Sequence, residues 1–194
     1  MALQAETLVE EWLNKKGYFT IRGIKEKLNE IDFLAVRNNG DEGWEYIHCE
    51  VQVSVRPVAY ISKLTKSQME KLGVKSKTST KARNQESIKD SVKAWAELKY
   101  TSDKKKKLRD AVVGGANWQY WFVHGKVKDT NELDCIRAEG VKLIAIKEVL
   151  QELTENHTEH SFSSASAGSL VELLNLLNTE EPLAEQQALA EQQA

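Results

Sequence analysis

The chain has 194 residues, 41% hydrophobic and 29% charged, with a formal net charge of −2, which suits one compact domain plus an appendage. No apolar run approaches the ~20 residues that span a bilayer, and the opening residues Met1 to Glu6 lack the basic start and long apolar stretch of a signal peptide. Cys49 and Cys135 are too few for a disulfide scaffold, so a membrane-spanning or disulfide-stapled secreted protein is disfavoured and buried free thiols in a cytoplasmic protein are expected.

In chain order, residues 3–16 carry Leu3, Leu8, Val9, Trp12 and Leu13 on one side at helical spacing, and Gly17 supplies the stop. Tyr18–Ile24 alternates as a first strand, Glu30–Val36 reads as a second, and Trp44–Val55 returns as a third after the turn residues Asn38-Asn39-Gly40-Asp41. Pro57 ends that strand or sits at its exposed end. Helical stretches are predicted around Ile61–Leu72 and Ser87–Tyr100, separated by a flexible basic loop from Lys75 to Lys81 and followed by the basic cluster Lys104 to Lys107. Trp118–Val127 reads as a fourth strand, Glu132–Ala138 as a short helix ended by Gly140, Val141–Ile146 as a fifth strand, and Lys147–Thr154 as the start of a further helix. Residues 155–169 have the composition of a linker. An apolar helix over 170–177 and a tail repeating Leu-Ala-Glu-Gln-Gln-Ala close the chain, with docking on the domain's own core or on a protein partner as their expected uses.

Net charge conceals a sharp division. Residues 1–55 hold 6 Lys/Arg against 10 Asp/Glu, residues 56–109 hold 16 against 5, and residues 110–194 hold 5 against 14. A middle segment of net +11 in an acidic chain fits an anionic polymer as partner; a solvated helical face is the plainer alternative. Arg56, Lys63, Lys66 and Lys71 are the expected contacts to a phosphate backbone, with Lys75, Lys77, Lys81 and Arg83 as mobile clamps.

Carboxylates within apolar strands are expensive to bury uncompensated, and Asp32 and Glu50 both lie in such strands. Glu50 and Gln52 share a strand face, and Asp32 lies beside Glu50 if the hairpin register opposes them. Two carboxylates with the Val51 carbonyl between Glu50 and Gln52 would offer hard oxygen ligands for Mg²⁺, which keeps several waters and bridges to phosphate. Glu6 on the first helix would complete the outer shell. Glu10 is its rival one turn on, and Glu30 is the rival to Asp32 on the same strand face. The bland alternative makes Asp32 an exposed-face carboxylate and Glu50/Gln52 the polar half of an edge strand. His48 shares the face of Glu50. His124 reads as core or rim packing, and His157 and His160 lie in the linker.

With these residues in hand, the pattern over 6–54 resembles the PD-(D/E)xK nuclease superfamily. The matching features are Glu6, Val9, Leu13 and Gly17-Tyr18, then Asn29-Glu30-Ile31-Asp32, then Glu50-x-Gln52. The resemblance implies an α/β, restriction-endonuclease-like mixed sheet of about five strands flanked by helices, with a C-terminal helical tail. The nuclease-like domain would span 1–154 with a basic insertion at 56–109. It implies metal binding by Asp32, Glu50 and Val51, support from Glu6, and a metal-dependent endonuclease using Mg²⁺ (Mn²⁺ able to substitute) on nucleic acid, DNA favoured, as a homodimer. The signature lysine is Gln52 here. Glutamine orients a water but does not stabilise hydroxide as a cation does, though some restriction enzymes of the superfamily carry it and cleave. A nuclease-fold protein that binds nucleic acid or a protein partner without cleaving is the alternative.

Overall fold

The computed structural model describes residues 2–155; the predicted linker, the apolar helix, the repeated tail, and His157 and His160 lie outside these residues. Helix α1 (Ala2–Lys15) buries Val9, Trp12 and Leu13 on the face its spacing dictates. It stops where Gly17 takes φ +82° and the Tyr18 amide bonds back to the Leu13 carbonyl at 3.1 Å. Strands β1 (Phe19–Glu26) and β2 (Asn29–Asn38) form a hairpin, and β3 (Trp44–Gln52) continues the meander after a 3₁₀ turn at Gly40–Glu42.

The chain then leaves the sheet. Helix α2 (Lys66–Leu72) starts at a capping box in which Thr65 and Gln68 exchange side-chain and backbone bonds. Helix α3 (Gln85–Ala96) is capped by Asn84, widens into a π-helical turn (Glu97–Thr101), and leads to α4 (Asp103–Asp110). Strand β4 (Trp118–His124), α5 (Thr130–Ala138), β5 (Val141–Ala145) and α6 (Ile146–Glu155) follow.

The sheet order is β1-β2-β3-β4-β5, antiparallel through β3 and parallel from β3 to β5. The expected α/β class, a five-stranded mixed sheet flanked by helices, is what the chain adopts. One sheet face packs α1 and α6 through Trp12, Leu13, Phe33, Ile47, Trp121, Val149 and Leu153. The other packs α3, the π turn and α5 through Val92, Trp95, Tyr100, Phe122 and Ile136, with Leu108 of α4 against Leu34 and Trp118 alongside. Cys49 and Cys135 are buried free thiols, as expected.

Several bounds differ from the sequence expectation. The helix predicted from Ile61 begins only at Lys66, because residues 61 and 62 spend their backbone amides on the buried Glu132 carboxylate at 2.6 and 2.9 Å. The third strand ends at Gln52 rather than Val55, and Gly125, Val58 and Val127 then tie the departing chain to the segment after β4. The cluster Lys104 to Lys107 lies within α4, a helix whose sequence has almost no apolar periodicity to announce it.

Candidate active site

The β2–β3 ladder ends at Phe33↔Cys49. Beyond it β2 stays with β1 and β3 stays with β4, so the sheet forks. Asp32 and Glu50 would be the next opposed pair by register, and they sit at the mouth of the fork. There the Asp32 carboxylate substitutes for the missing ladder bond, its Oδ2 accepting the Val51 amide at 2.7 Å.

Glu50 is fully buried. Its Oε2 accepts from Lys99 Nζ at 2.5 Å, and its Oε1 accepts from Lys105 Nζ at 2.7 Å and faces His48 Nε2 at 3.0 Å. His48 Nδ1 lies 3.0 Å from Arg109 Nη1. Arginine can only donate, so Nδ1 accepts and the Nε2–H donates to Glu50. Arg109 also donates to the Tyr100 carbonyl at 2.6 Å, and Lys105 to the Glu30 carbonyl. Three elements therefore converge on Glu50: β3, the π turn carrying Lys99, and α4, whose Lys105 and Arg109 share a face at i, i+4 spacing with Leu108 between them. π-Helical turns are rare and concentrate at functional positions.

The two carboxylates titrate in opposite directions. Burial acts to raise Glu50, but the His48 hydrogen bond and the charges of Lys99 and Lys105 outweigh it and hold its pKa down at about 2. Burial and the neighbouring Glu50 charge push Asp32 up to about 6, against the pull of the Val51 amide and Lys99. Burial drives His48 down to about 4, so its ring is neutral, as its hydrogen bonds require. Lys99 is raised because Glu50 and Asp32 outweigh its partial burial.

The sequence-predicted residues fall into distinct places. Asp32 and Glu50 come together. Glu6 sits in an outer layer, its carboxylate 3.4 Å from Arg22 Nε, and Arg22 also holds Glu10 at 3.1 Å. The side chain of Glu30 is exposed and only loosely paired with Lys25. Gln52 ends β3, exposed, and among the described residues no hydrogen bond joins it to either carboxylate. His48 is a buried, satisfied link rather than an open ligand, and His124 Nδ1 lies against the Gly125 carbonyl at 2.8 Å.

Of the proposed clamps, Arg56, Lys63, Lys66, Lys71, Lys75, Lys77 and Lys81 are exposed, with Lys81 Nζ donating to the Leu72 carbonyl at 2.6 Å. Arg83 is not a mobile clamp: it is 8% exposed and stacked 3.9 Å from the Tyr60 ring centre. Glu50 also has compensation from within the chain, since Lys99 and Lys105 both pair with it. Lys99, Lys105 and Arg109 were not singled out from the sequence; only the spacing of Lys105 and Arg109 around Leu108 hinted at an inward face.

Among the described residues no group of three or more His, Cys, Asp or Glu side chains is placed to hold a metal. Two carboxylates and a backbone carbonyl nonetheless suit Mg²⁺, which takes few protein ligands and completes its shell with water and phosphate. Asp32, raised in pKa and held by one amide, is the carboxylate left short of positive charge.

No family model and no curated protein matches the sequence. In structure the chain is similar to a solved protein of unknown function, AF1548, at a TM-score of 0.44 and 14% identity, over 90% of this chain and 79% of that one.

Proposed function

We propose that this chain is a metal-dependent nuclease of the PD-(D/E)xK type that hydrolyses phosphodiester bonds, with DNA as substrate. The observation that carries the reading is the meeting of Asp32, Glu50 and Lys99 at the fork of the sheet. Asp32, Glu50 and the Val51 carbonyl would hold Mg²⁺ or Mn²⁺, which supplies Lewis acidity toward a phosphate and acidifies bound water. Lys99 supplies the cation that Gln52 cannot. Its ammonium, 31% exposed on its side chain, reaches the carboxylate pair from the π turn and is positioned to meet phosphate oxygens. Lys105 and the Arg109–His48 chain fix the Glu50 rotamer from beneath, and Glu6 supports through the acidic layer around Arg22. Arg56, Lys63, Lys66, Lys71, Lys75 and Lys77 provide backbone contacts that confer affinity and salt sensitivity.

One observation favours a second reading, a fold that binds nucleic acid without cleaving it: both Glu50 oxygens already hold ammonium groups. Nicking of supercoiled plasmid with Mg²⁺ or Mn²⁺ separates the two. The nuclease predicts metal-dependent nicking that is lost in Asp32→Ala and Glu50→Ala and falls by about 10²–10³ in Lys99→Met. Wild-type protein that binds DNA in a salt-sensitive manner, unchanged by Asp32→Ala, and never nicks belongs to the binding class.

A further inference from the structure

A cavity of about 350 Å³ opens beside the candidate site, with Gln52, two residues beyond Glu50 on the same strand, in its wall. Its other walls are the chain after β3, from Pro57 to Lys63, and the loop residues Thr78, Ser79 and Thr80, with Arg83 between them. This volume falls in the range of small-molecule sites and exceeds what a bare phosphate fills.

The walls are fixed rather than draped. The Leu64 amide holds the loop through the Lys77 carbonyl at 2.9 Å, and Glu132 clamps Ile61 and Ser62 from below. That carboxylate is fully buried and also accepts the Ser62 hydroxyl at 2.5 Å, so its oxygens are occupied by these three bonds, while its charge partly balances that of Arg83.

Arg83 is the buried charge in the cavity wall. Its guanidinium lies over the Tyr60 ring, its backbone amide donates to the Tyr60 hydroxyl at 3.2 Å, and its Nη1 donates to the Ser62 carbonyl at 3.0 Å. Its Nε is buried with no hydrogen-bond partner. A buried donor without an acceptor is costly and calls for a cause. A charged fork, more than nine-tenths buried and only partly satisfied, in the wall of a cavity that also carries Lys63 and three consecutive hydroxyl residues, is the chemistry of an oxyanion with several acceptor oxygens. Pro57, Val58 and the Tyr60 ring add an apolar side that a bare inorganic ion would leave unused.

We propose that this cavity is a phosphate subsite, in which Arg83, Lys63 and the Thr78–Thr80 hydroxyls take a phosphate of the bound strand while its nucleoside lies against Pro57, Val58 and Tyr60. The assignment rests on the nucleic-acid reading above and adds to it the place where the strand continues past the scissile bond. The phosphate is either a strand's 5′-terminal group or an internal phosphodiester, and both offer the same oxygens.

The test needs no cleavage. Binding of 5′-phosphorylated and 5′-hydroxyl single-stranded hexanucleotides to the full chain is measured in EDTA, for wild type, Arg83→Lys, Lys63→Met and Thr80→Val. Lys63 and Thr80 are exposed, so these two variants are expected to fold even if the buried Arg83 change does not. Tighter binding of the phosphorylated strand by about tenfold, lost in Lys63→Met and Thr80→Val, assigns the subsite to a strand end. Equal binding of both strands, weakened several-fold in both variants, assigns it to an internal phosphodiester. Binding that both variants leave unchanged overturns the subsite, whether or not the protein cleaves. A plasmid-nicking failure with variant-sensitive strand binding overturns the nuclease reading alone.

Discussion

At Asp32, burial and the Glu50 charge raise the pKa to about 6, whereas the ordinary aspartate value is 3.8. The folded state therefore keeps the Asp32 proton over a window in which the unfolded chain has released it. This contribution to stability is fully present below 3.8, is lost as pH rises towards 6, and is absent at neutral pH. Asp32→Asn removes the charge while its amide oxygen still accepts from Val51, so it should stabilise the fold at about pH 8 by about 1–3 kcal/mol. Chemical denaturation of the metal-free protein measures this; a destabilised variant would mean that the carboxylate is already compensated. Glu50 behaves oppositely, its pKa held at about 2 against an ordinary 4.5, so its contribution is present above 4.5 and lost as pH falls through 2. Glu50→Gln leaves Lys105 buried opposite a neutral amide and should cost about 3–5 kcal/mol. One carboxylate is thus tuned for stability and its neighbour against it. The same denaturation series in both variants detects that opposition.

Among the elements, the π turn matters most, because it alone brings Lys99 to Glu50. Its anchor is Tyr100, fully buried, whose hydroxyl donates to the Trp121 carbonyl at 2.8 Å. Tyr100→Phe keeps the packing but removes that hydrogen bond, and should destabilise by about 0.5–1.5 kcal/mol. If the turn positions Lys99, metal-dependent nicking should fall in Tyr100→Phe by more than the lost stability explains, with folded protein still present by circular dichroism. The elements also show what could be read in advance. The helix and three-strand meander were legible because Val9, Trp12 and Leu13 repeat at helical spacing and β2 and β3 carry short apolar runs, buried on both faces, bounded by turn residues. Asp32 and Glu50 were legible because a carboxylate in an apolar strand needs a reason. Lys99, Lys105 and Arg109 were not, since little beyond the spacing around Leu108 separates the inward Lys105 from its outward neighbours Lys104, Lys106 and Lys107. Their burial depends on a partner 49 to 61 residues away in the chain. The same limit hid Arg83, which looks like a surface cation until Tyr60 and Ser62 are brought beneath it.

For the molecule as a whole, the proposed cation and a proton would compete for the same fork. Without metal, Lys99 and Lys105 neutralise Glu50, so the core does not depend on a cation and a chelator should leave the unfolding midpoint unchanged. A metal whose binding energy is folding energy would behave otherwise. Under the proposed function, Mg²⁺ taken up by the folded chain alone should stabilise it by RT ln(1 + [Mg²⁺]/Kd), about 2.7 kcal/mol at a hundredfold excess over Kd. Because Asp32 holds its proton up to about pH 6, the cation must displace that proton at lower pH, and apparent affinity should fall about tenfold per pH unit below 6. At that excess the Mg²⁺-dependent stabilisation should therefore be large near pH 8 and roughly halved near pH 5, while Asp32→Asn, already stabilised without metal, should show little rise at either. A rise that persists in Asp32→Asn, or that ignores pH, would place the cation elsewhere on this acidic protein. Thermal unfolding with and without Mg²⁺ in wild type and Asp32→Asn thus links the proton affinity of one aspartate to the stability of the entire fold.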